Sequence, residues 1–206
     1  ALNYEECIHI PMMIYDPRVE NSSDVEELVL SIDIAPTILT LTGISIPEAM
    51  QGRDLSLLMK EKDIDWRDYV FGENLWATYF GNPRCESIRG KKWKYIRYFK
   101  NELAEKYDEV EDKFSTTEKI ADKYHASLVS TINVEEPIYE ELYNLEKDPD
   151  EVNNLANKEK YIDILNKMRR ECQKSGTEAR GENKPPATIP LSAEKQRLFK
   201  KFIPED

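Results

Sequence analysis

Residues 92–100, Lys-Trp-Lys-Tyr-Ile-Arg-Tyr-Phe-Lys, constrain the fold more than any other stretch of the chain. As a strand they place Trp93, Tyr95, Arg97 and Phe99 on one face and Lys94, Ile96, Tyr98 and Lys100 on the other, because side chains alternate across a sheet. Aromatic rings therefore emerge on both faces, and neither face can be left wholly in water. The pattern predicts a sheet covered on one side by a helix and partly on the other. Cys85 to Arg89 reads as the preceding strand, joined through a turn at Gly90-Lys91. Tyr69-Val70-Phe71-Gly72, within 66–76, and Glu140–Leu145 are further strand candidates. The covering helix is expected over 157–174, where Tyr161, Leu165, Met168 and Cys172 recur at helical spacing.

The first third reads differently. Residues 8–15, Ile-His-Ile-Pro-Met-Met-Ile-Tyr, form a short apolar run consistent with a buried strand, with Pro11 near its start or on an edge. Asn21 to Asp24 is a loop, and 29–32 a second strand-like run. A helix follows with both ends marked. Asp33 can cap it, Pro36 falls in the first turn where a missing N–H costs nothing, and Gly43 suits the left-handed residue that ends it. Ile34, Ile38 and Leu41 are expected as its buried stripe. Pro47 and Gly52 bracket a loop, and 55–60 resembles a short helical turn. Residues 101–136 are rich in Glu, Lys and Asp, with helical patterning near 118–132. Residues 176–190 read as a Gly/Pro-containing tail, followed by a helical stretch at 192–202.

Composition narrows the function classes. The 206 residues suffice for a core without staples. Twenty-nine Lys and Arg against 40 Asp and Glu leave a net charge of −11, which opposes non-specific binding to nucleic acid or anionic membrane. No run approaches 18 apolar residues, so no membrane span is expected. The first residues lack the basic and apolar regions of a signal peptide, and the chain reads as a piece of something longer. The three cysteines, Cys7, Cys85 and Cys172, have neither disulfide-framework nor zinc-site spacing, and buried free thiols are expected.

Few of the chain's residues form a recognisable chemical constellation. The two histidines, His9 and His125, have no metal-ligand partner at helical or strand spacing; His9 is read as structural and His125 as solvated. No P-loop, GxGxxG or GxSxG is present. Asp148 to Asn154 gathers oxygen ligands but lacks the glycine and distant glutamate of an EF-hand loop, so a turn is preferred to a calcium site. One local reversal of charge stands out: Arg84, Arg89, Lys91, Lys92, Trp93, Lys94, Arg97 and Tyr98. These could line a groove for an anionic, ring-shaped ligand. The favoured reading is an exposed sheet face whose cations discourage edge-to-edge pairing.

Three segments in order resemble the C-terminal part of the sulfatase family, within the alkaline-phosphatase-like superfamily. Tyr4-Glu5-Glu6-Cys7-Ile8-His9-Ile10-Pro11 is similar to the family's YEESIRVP run, with Cys7 in place of Ser and His9 in place of Arg. Asp33-Ile34-Ala35-Pro36-Thr37 through Gly43-Ile44, with Met50-Gln51-Gly52-Arg53-Asp54-Leu55, resembles DIAPTLLDLAGI…MQGxSL. Glu141-Leu142-Tyr143-Asn144-Leu145 through Asp148-Pro149-Asp150-Glu151 and Asn154-Leu155-Ala156 resembles ELYDLxxDPxExxNLA.

The resemblance implies an α+β fold: the end of a larger α/β domain (1–62), a small antiparallel sheet with a C-terminal covering helix (63–175), and a tail with a short helix (176–206). It implies a parent enzyme that hydrolyses sulfate esters with a formylglycine and calcium, on a sulfated small molecule or glycan. The formylglycine motif C/SxPSR is not in this chain: Cys7 precedes Ile-His, Cys85 precedes Glu-Ser and Cys172 precedes Gln-Lys. The expectation is therefore a supporting region, not catalytic alone, with no cofactor or metal site of its own and the remainder of the sulfatase chain as its partner. Trp76, Arg84 and Arg89 are the candidates for substrate-side contact. The long acidic stretch at 101–136 would be an insertion. A phosphonate- or phosphodiester-cleaving relative is one rival reading, and a binding module for an anionic sugar-like ligand is the other. A segment 1–60 parted from its domain should expose apolar surface and tend to associate.

Overall fold

The computed structural model of the chain describes residues 3–19, 24–60, 64–74, 84–99 and 136–180. Four strands, β1 (Tyr69–Asn74), β2 (Arg84–Gly90), β3 (Trp93–Phe99) and β4 (Tyr139–Asn144), form one antiparallel meander in the order β1-β2-β3-β4. Only Lys91 and Lys92 separate β2 from β3, and Arg89 lies opposite Lys94. A helix, α4 (Ile162–Arg180), follows a 3-10 turn at Glu159–Tyr161 and crosses one face. This is the α+β arrangement the aromatic strand demanded.

The two faces of β3 are buried by different partners. On the helix side, Ile88, Tyr95 and Leu142 pack with Leu165, Met168 and Cys172 of α4, flanked by Tyr69, Phe71, Trp93 and Tyr161. On the other side Cys85, Ile96, Tyr98 and Tyr143 are covered by Tyr4 and Leu145. The expected stripe on the covering helix is therefore confirmed at Leu165, Met168 and Cys172. That helix runs to Arg180, past the end expected at 174, and at Gly176 it passes close to β1, where a Cβ would lie 3.2 Å from the Phe71 ring. The outer edge of β4 is closed by the following loop. Leu155 N–H donates to Leu142 O (2.9 Å), and Asn154 Oδ1 accepts the Leu142 N–H (3.0 Å), which removes a free edge.

The N-terminal segment departs from the sequence reading. Residues 8–15 are not a strand. Glu5–Ile8 makes one helical turn, α1, and the chain then runs extended outside the sheet, with Met13 96% and Tyr15 86% exposed. The apolar run has no strand beside it among the described residues to complete its hydrogen bonds. Residues 29–32 also differ: Ser31–Asp33 curls into a 3-10 turn because Asp33 Oδ2 accepts the Leu30 N–H at 2.7 Å.

The marked helix is present as α2 (Ile34–Leu41), followed by α3 (Ser56–Lys60). Gly43, at φ +76°, ends α2 with a Schellman pair: Ile44 N–H to Leu39 O (2.9 Å) and Gly43 N–H to Thr40 O (3.0 Å). Its buried side is not the one expected. Pro36 and Thr37 face inward, while Ile34 and Ile38 are 44% and 55% exposed. Thr37 Oγ1 donates to Asp33 O (2.6 Å) and accepts the Leu55 N–H (2.8 Å), which fastens the 52–55 loop to the inner side. The helical patterning at 118–132 and the helix at 192–202 lie outside the described residues.

Two glycines carry different loads. A Cβ on Gly52 would lie 2.1 Å from the Ile32 carbonyl oxygen, whereas one on Gly43 meets nothing within 4 Å and suffers only from its positive φ. Gly43→Ala should cost about 1–2 kcal/mol. Gly52→Ala should cost more, since backbone must move. Urea unfolding of the two variants checks the order.

Candidate functional site

Of the three nominated contact residues, Trp76 lies outside the described residues. Arg84 and Arg89 both lie on β2, five positions apart and hence on opposite faces. Arg84 is 4% exposed, with its guanidinium carbon 5.8 Å from the centre of the Phe99 ring. Arg89 Nη2 lies 3.3 Å from the Glu5 carboxylate on the other side of the sheet. The two arginines do not form one site.

The basic aromatic cluster is not an exposed face. Its strands β2 and β3 are the central pair, and Arg89, Lys94 and Arg97 are paired with carboxylates. Lys94 has no exposed side chain; its Nζ lies 3.0 Å from Glu5 Oε1 and 2.9 Å from Glu151 Oε1. The contact with Glu151 Oε1 is one of charge, without hydrogen-bond geometry. Glu151 Oε2 accepts the Glu5 N–H at 2.5 Å. Beside it, Tyr4 and Tyr98 hydroxyls donate to Glu141, at 3.0 and 2.8 Å, and Asn3 Nδ2 donates to Gly72 O at 3.3 Å. Lys91 pairs with Glu27 and Lys92 with Glu146. Burial works to raise the Glu5 carboxyl, but Lys94 and Arg89 outweigh it and hold it below the ordinary carboxylate range.

A second network lies under α4. The fully buried Glu86 receives Arg97 Nε at 2.7 Å and is also bonded by Arg180, which reaches Glu73 at 2.7 Å. Arg97 also donates to Gln173 Oε1 at 3.0 Å. Arg97 and Arg180 lie against the rings of Phe99 and Phe71, 5.3 and 5.6 Å from their centres. Nearby, Glu140 accepts from Arg169 Nε (2.8 Å) and from the Tyr95 hydroxyl. Its carboxyl is held below the usual range by Arg169 and Tyr95 against an opposing burial effect.

A third pairing joins the N-terminal segment to the strand entry. Asp33 takes both Arg67 nitrogens, at 2.5 and 2.7 Å, and the Arg53 N–H at 2.8 Å. Burial opposes ionisation of Asp33, yet these donors keep its carboxyl low. Trp66 donates from Nε1 to Leu28 O (2.8 Å), and the guanidinium carbons of Arg53 and Arg67 lie 5.5 and 5.1 Å from its ring centre.

These groups hold segments together; they do not offer a nucleophile or a metal cradle. Burial raises the Cys85 thiol to about 11 and Cys172 to about 12, which keeps them protonated. Cys7, expected buried, is exposed. His9, expected within a buried strand, is exposed, its Nδ1 3.9 Å from Glu5. Among the described residues no three His, Cys, Asp or Glu side chains converge as a metal ion would need. Asp148 instead accepts the N–H groups of Val152 and Asn153 (3.1 and 2.8 Å), the turn chemistry expected of it. Among the described residues no oxygen-donor cluster is gathered as a calcium ion would need. The sequence does not single out Glu5, Glu86 or Asp33 as an ion-pair partner. The Tyr-Glu-Glu run was the available signal, but its partners lie up to 146 residues away.

The family profile described as N-sulphoglucosamine sulphohydrolase, C-terminal, matches residues 1–136. The chain belongs to this sulphohydrolase C-terminal family. Among curated relatives, an arylsulfatase of Clostridium perfringens is 29% identical over 82% of this chain and 28% of its own length. An ulvan-active sulfatase of Formosa agariphila is 30% identical over 78% of this chain and 31% of its own length. The sulphohydrolase C-terminal chain thus spans less than a third of these relatives. Among solved structures, a 2-O GAG sulfatase aligns over 72% of this chain and 24% of its own, at 25% identity and a TM-score of 0.49.

Glu86→Ala leaves two arginines buried without their shared carboxylate and should cost about 3–5 kcal/mol, read by denaturant unfolding. Glu5, Asp33 and Glu140 have folded pKa values below the reference values of 4.5, 3.8 and 4.5. Their contribution is present in full above those reference values and is lost as pH falls through the folded ones. Stability should therefore fall from about pH 5 downward, and the double variant Glu5→Gln/Glu140→Gln should flatten that slope.

Proposed function

We propose that this chain is the C-terminal supporting region of a sulfate-ester hydrolase, with residues 1–62 completing a larger α/β catalytic part. The family match over residues 1–136 carries this reading. The distribution of exposed apolar side chains supports it. Thirteen of the seventeen large exposed hydrophobic residues among those described lie between Ile8 and Leu57, on the extended run, α2 and its loops. We read this concentration of exposed apolar side chains in one stretch of the sequence as surface that another part of the polypeptide covers. The partner proposed is the remainder of the sulfatase polypeptide, which would also bring the formylglycine and the calcium ion. The substrate class proposed is a sulfated glycan, in keeping with the ulvan-active relative. Arg84 and Arg89 then serve by shaping the sheet, since both are drawn into it, and Trp76 remains a proposed substrate-side contact.

The test is hydrolysis of a generic aryl sulfate and an aryl phosphonate by this chain and by the full-length protein. Sulfate cleavage by the full-length protein alone is expected. Cleavage by the 206-residue chain, or preference of the full-length protein for the phosphonate, would overturn the proposal.

A further inference from the structure

We infer that the Glu5–Lys94–Glu151 junction is a positioning element, fixing the sheet-and-helix unit against the polypeptide that carries the chemistry and so setting how tightly a substrate touching both is held. The inference rests on the proposed function above and deepens it. Three segments remote in sequence meet at one ammonium: the N-terminal run, strand β3 and the loop after β4. Asn3, Tyr4 and Glu5 each carry a polar anchor to the sheet, at Gly72 O, Glu141 and the Lys94–Arg89 pair. The chain just beyond, through Met13 and Tyr15, is exposed. The entry of the N-terminal segment is thus fixed at three consecutive residues, and its continuation is free to pack on something else.

The junction is also built at a cost that stability alone would not explain. Lys94 is fully buried, and a buried ion pair is often no more stabilising than an apolar replacement. Glu151 holds a left-handed backbone at φ +52°, a conformation that costs a side-chain-bearing residue about 1–2 kcal/mol. Its carboxylate is spent on the Glu5 N–H and on Lys94. Strain and buried charge kept together mark a place where geometry is being specified. Glu5 accepts hydrogen bonds from Lys94 and Arg89 and donates its N–H to Glu151, directional contacts that define one orientation where apolar contact would tolerate sliding. Ligand sites concentrate where two units meet, so a small change in their relative position acts on the ligand.

The experiment measures kcat and KM of the full-length protein and of its Glu5→Gln, Glu151→Gln and Tyr4→Phe variants. Two substrates are used: a small aryl sulfate and the longest sulfated oligosaccharide cleaved, chosen from ulvan and glycosaminoglycan fragments. Tyr4→Phe removes one hydroxyl and keeps the ring against Tyr143, which guards against simple unfolding. Glu5→Gln and Glu151→Gln should raise KM for the oligosaccharide by about tenfold or more, since misplacement from afar is costly. Tyr4→Phe should raise it less, and kcat for the aryl sulfate should stay unchanged in all three. Unchanged KM in an active protein overturns the inference alone. So does a parallel loss on both substrates that tracks the folded fraction, or a protein that cleaves only the aryl ester. A full-length protein that cleaves no sulfate ester overturns the parent reading and this inference together.

Discussion

Lys94 lies on a central strand with no part of its side chain in water, and an ammonium placed there alone would cost several kcal/mol. Its position is tenable because Glu5 and Glu151 arrive from two other segments to neutralise it. Much of the architecture follows from that requirement. The N-terminal run must lie across the sheet face opposite α4, and the loop after β4 must turn sharply enough to put Glu151 in a left-handed conformation. Tyr4 is thereby brought over Tyr98 and Tyr143, which gives the second face of β3 its apolar cover. The helix face has a parallel arrangement, in which Glu86 is matched by Arg97 and Arg180 and the end of α4 is tied to β1 and β2.

The sheet was largely legible from sequence. Alternation at 92–100, the apolar spacing of Leu165, Met168 and Cys172, and the Asp148-Pro149 turn are local patterns, and each specifies its own element. The charged side chains of β2 and β3 were misread as an exposed face because their partners are not local. Glu5 and Lys94 are 89 residues apart, and Glu86 and Arg180 are 94 apart. Nothing in a single sequence pairs them. Arg84 and Arg89 share a strand, but an odd spacing sends them to opposite faces, a parity that could have been read in advance.

Residues 8–15 and α2 fail in a more informative way. Their apolar patterning is that of buried elements, yet Met13, Tyr15, Ile34 and Ile38 face outward. Ile34 and Ile38 have the spacing of a packed stripe, while the inward side of α2 carries Pro36 and Thr37. A sequence patterned for burial on a surface left open is coherent when the covering partner is another part of the same polypeptide, and relatives more than three times as long as the matched region make room for it. The sheet unit, by contrast, has both faces filled from within this chain.

That contrast can be measured directly by amide hydrogen exchange on the 206-residue chain and on the full-length protein. Amides of α2 and of residues 10–15 should exchange markedly more slowly in the full-length protein, while those of β1 to β4 exchange alike in both. Equal rates in α2 and 10–15 would contradict the claim that the outward apolar surface is an interface with the rest of a sulfatase.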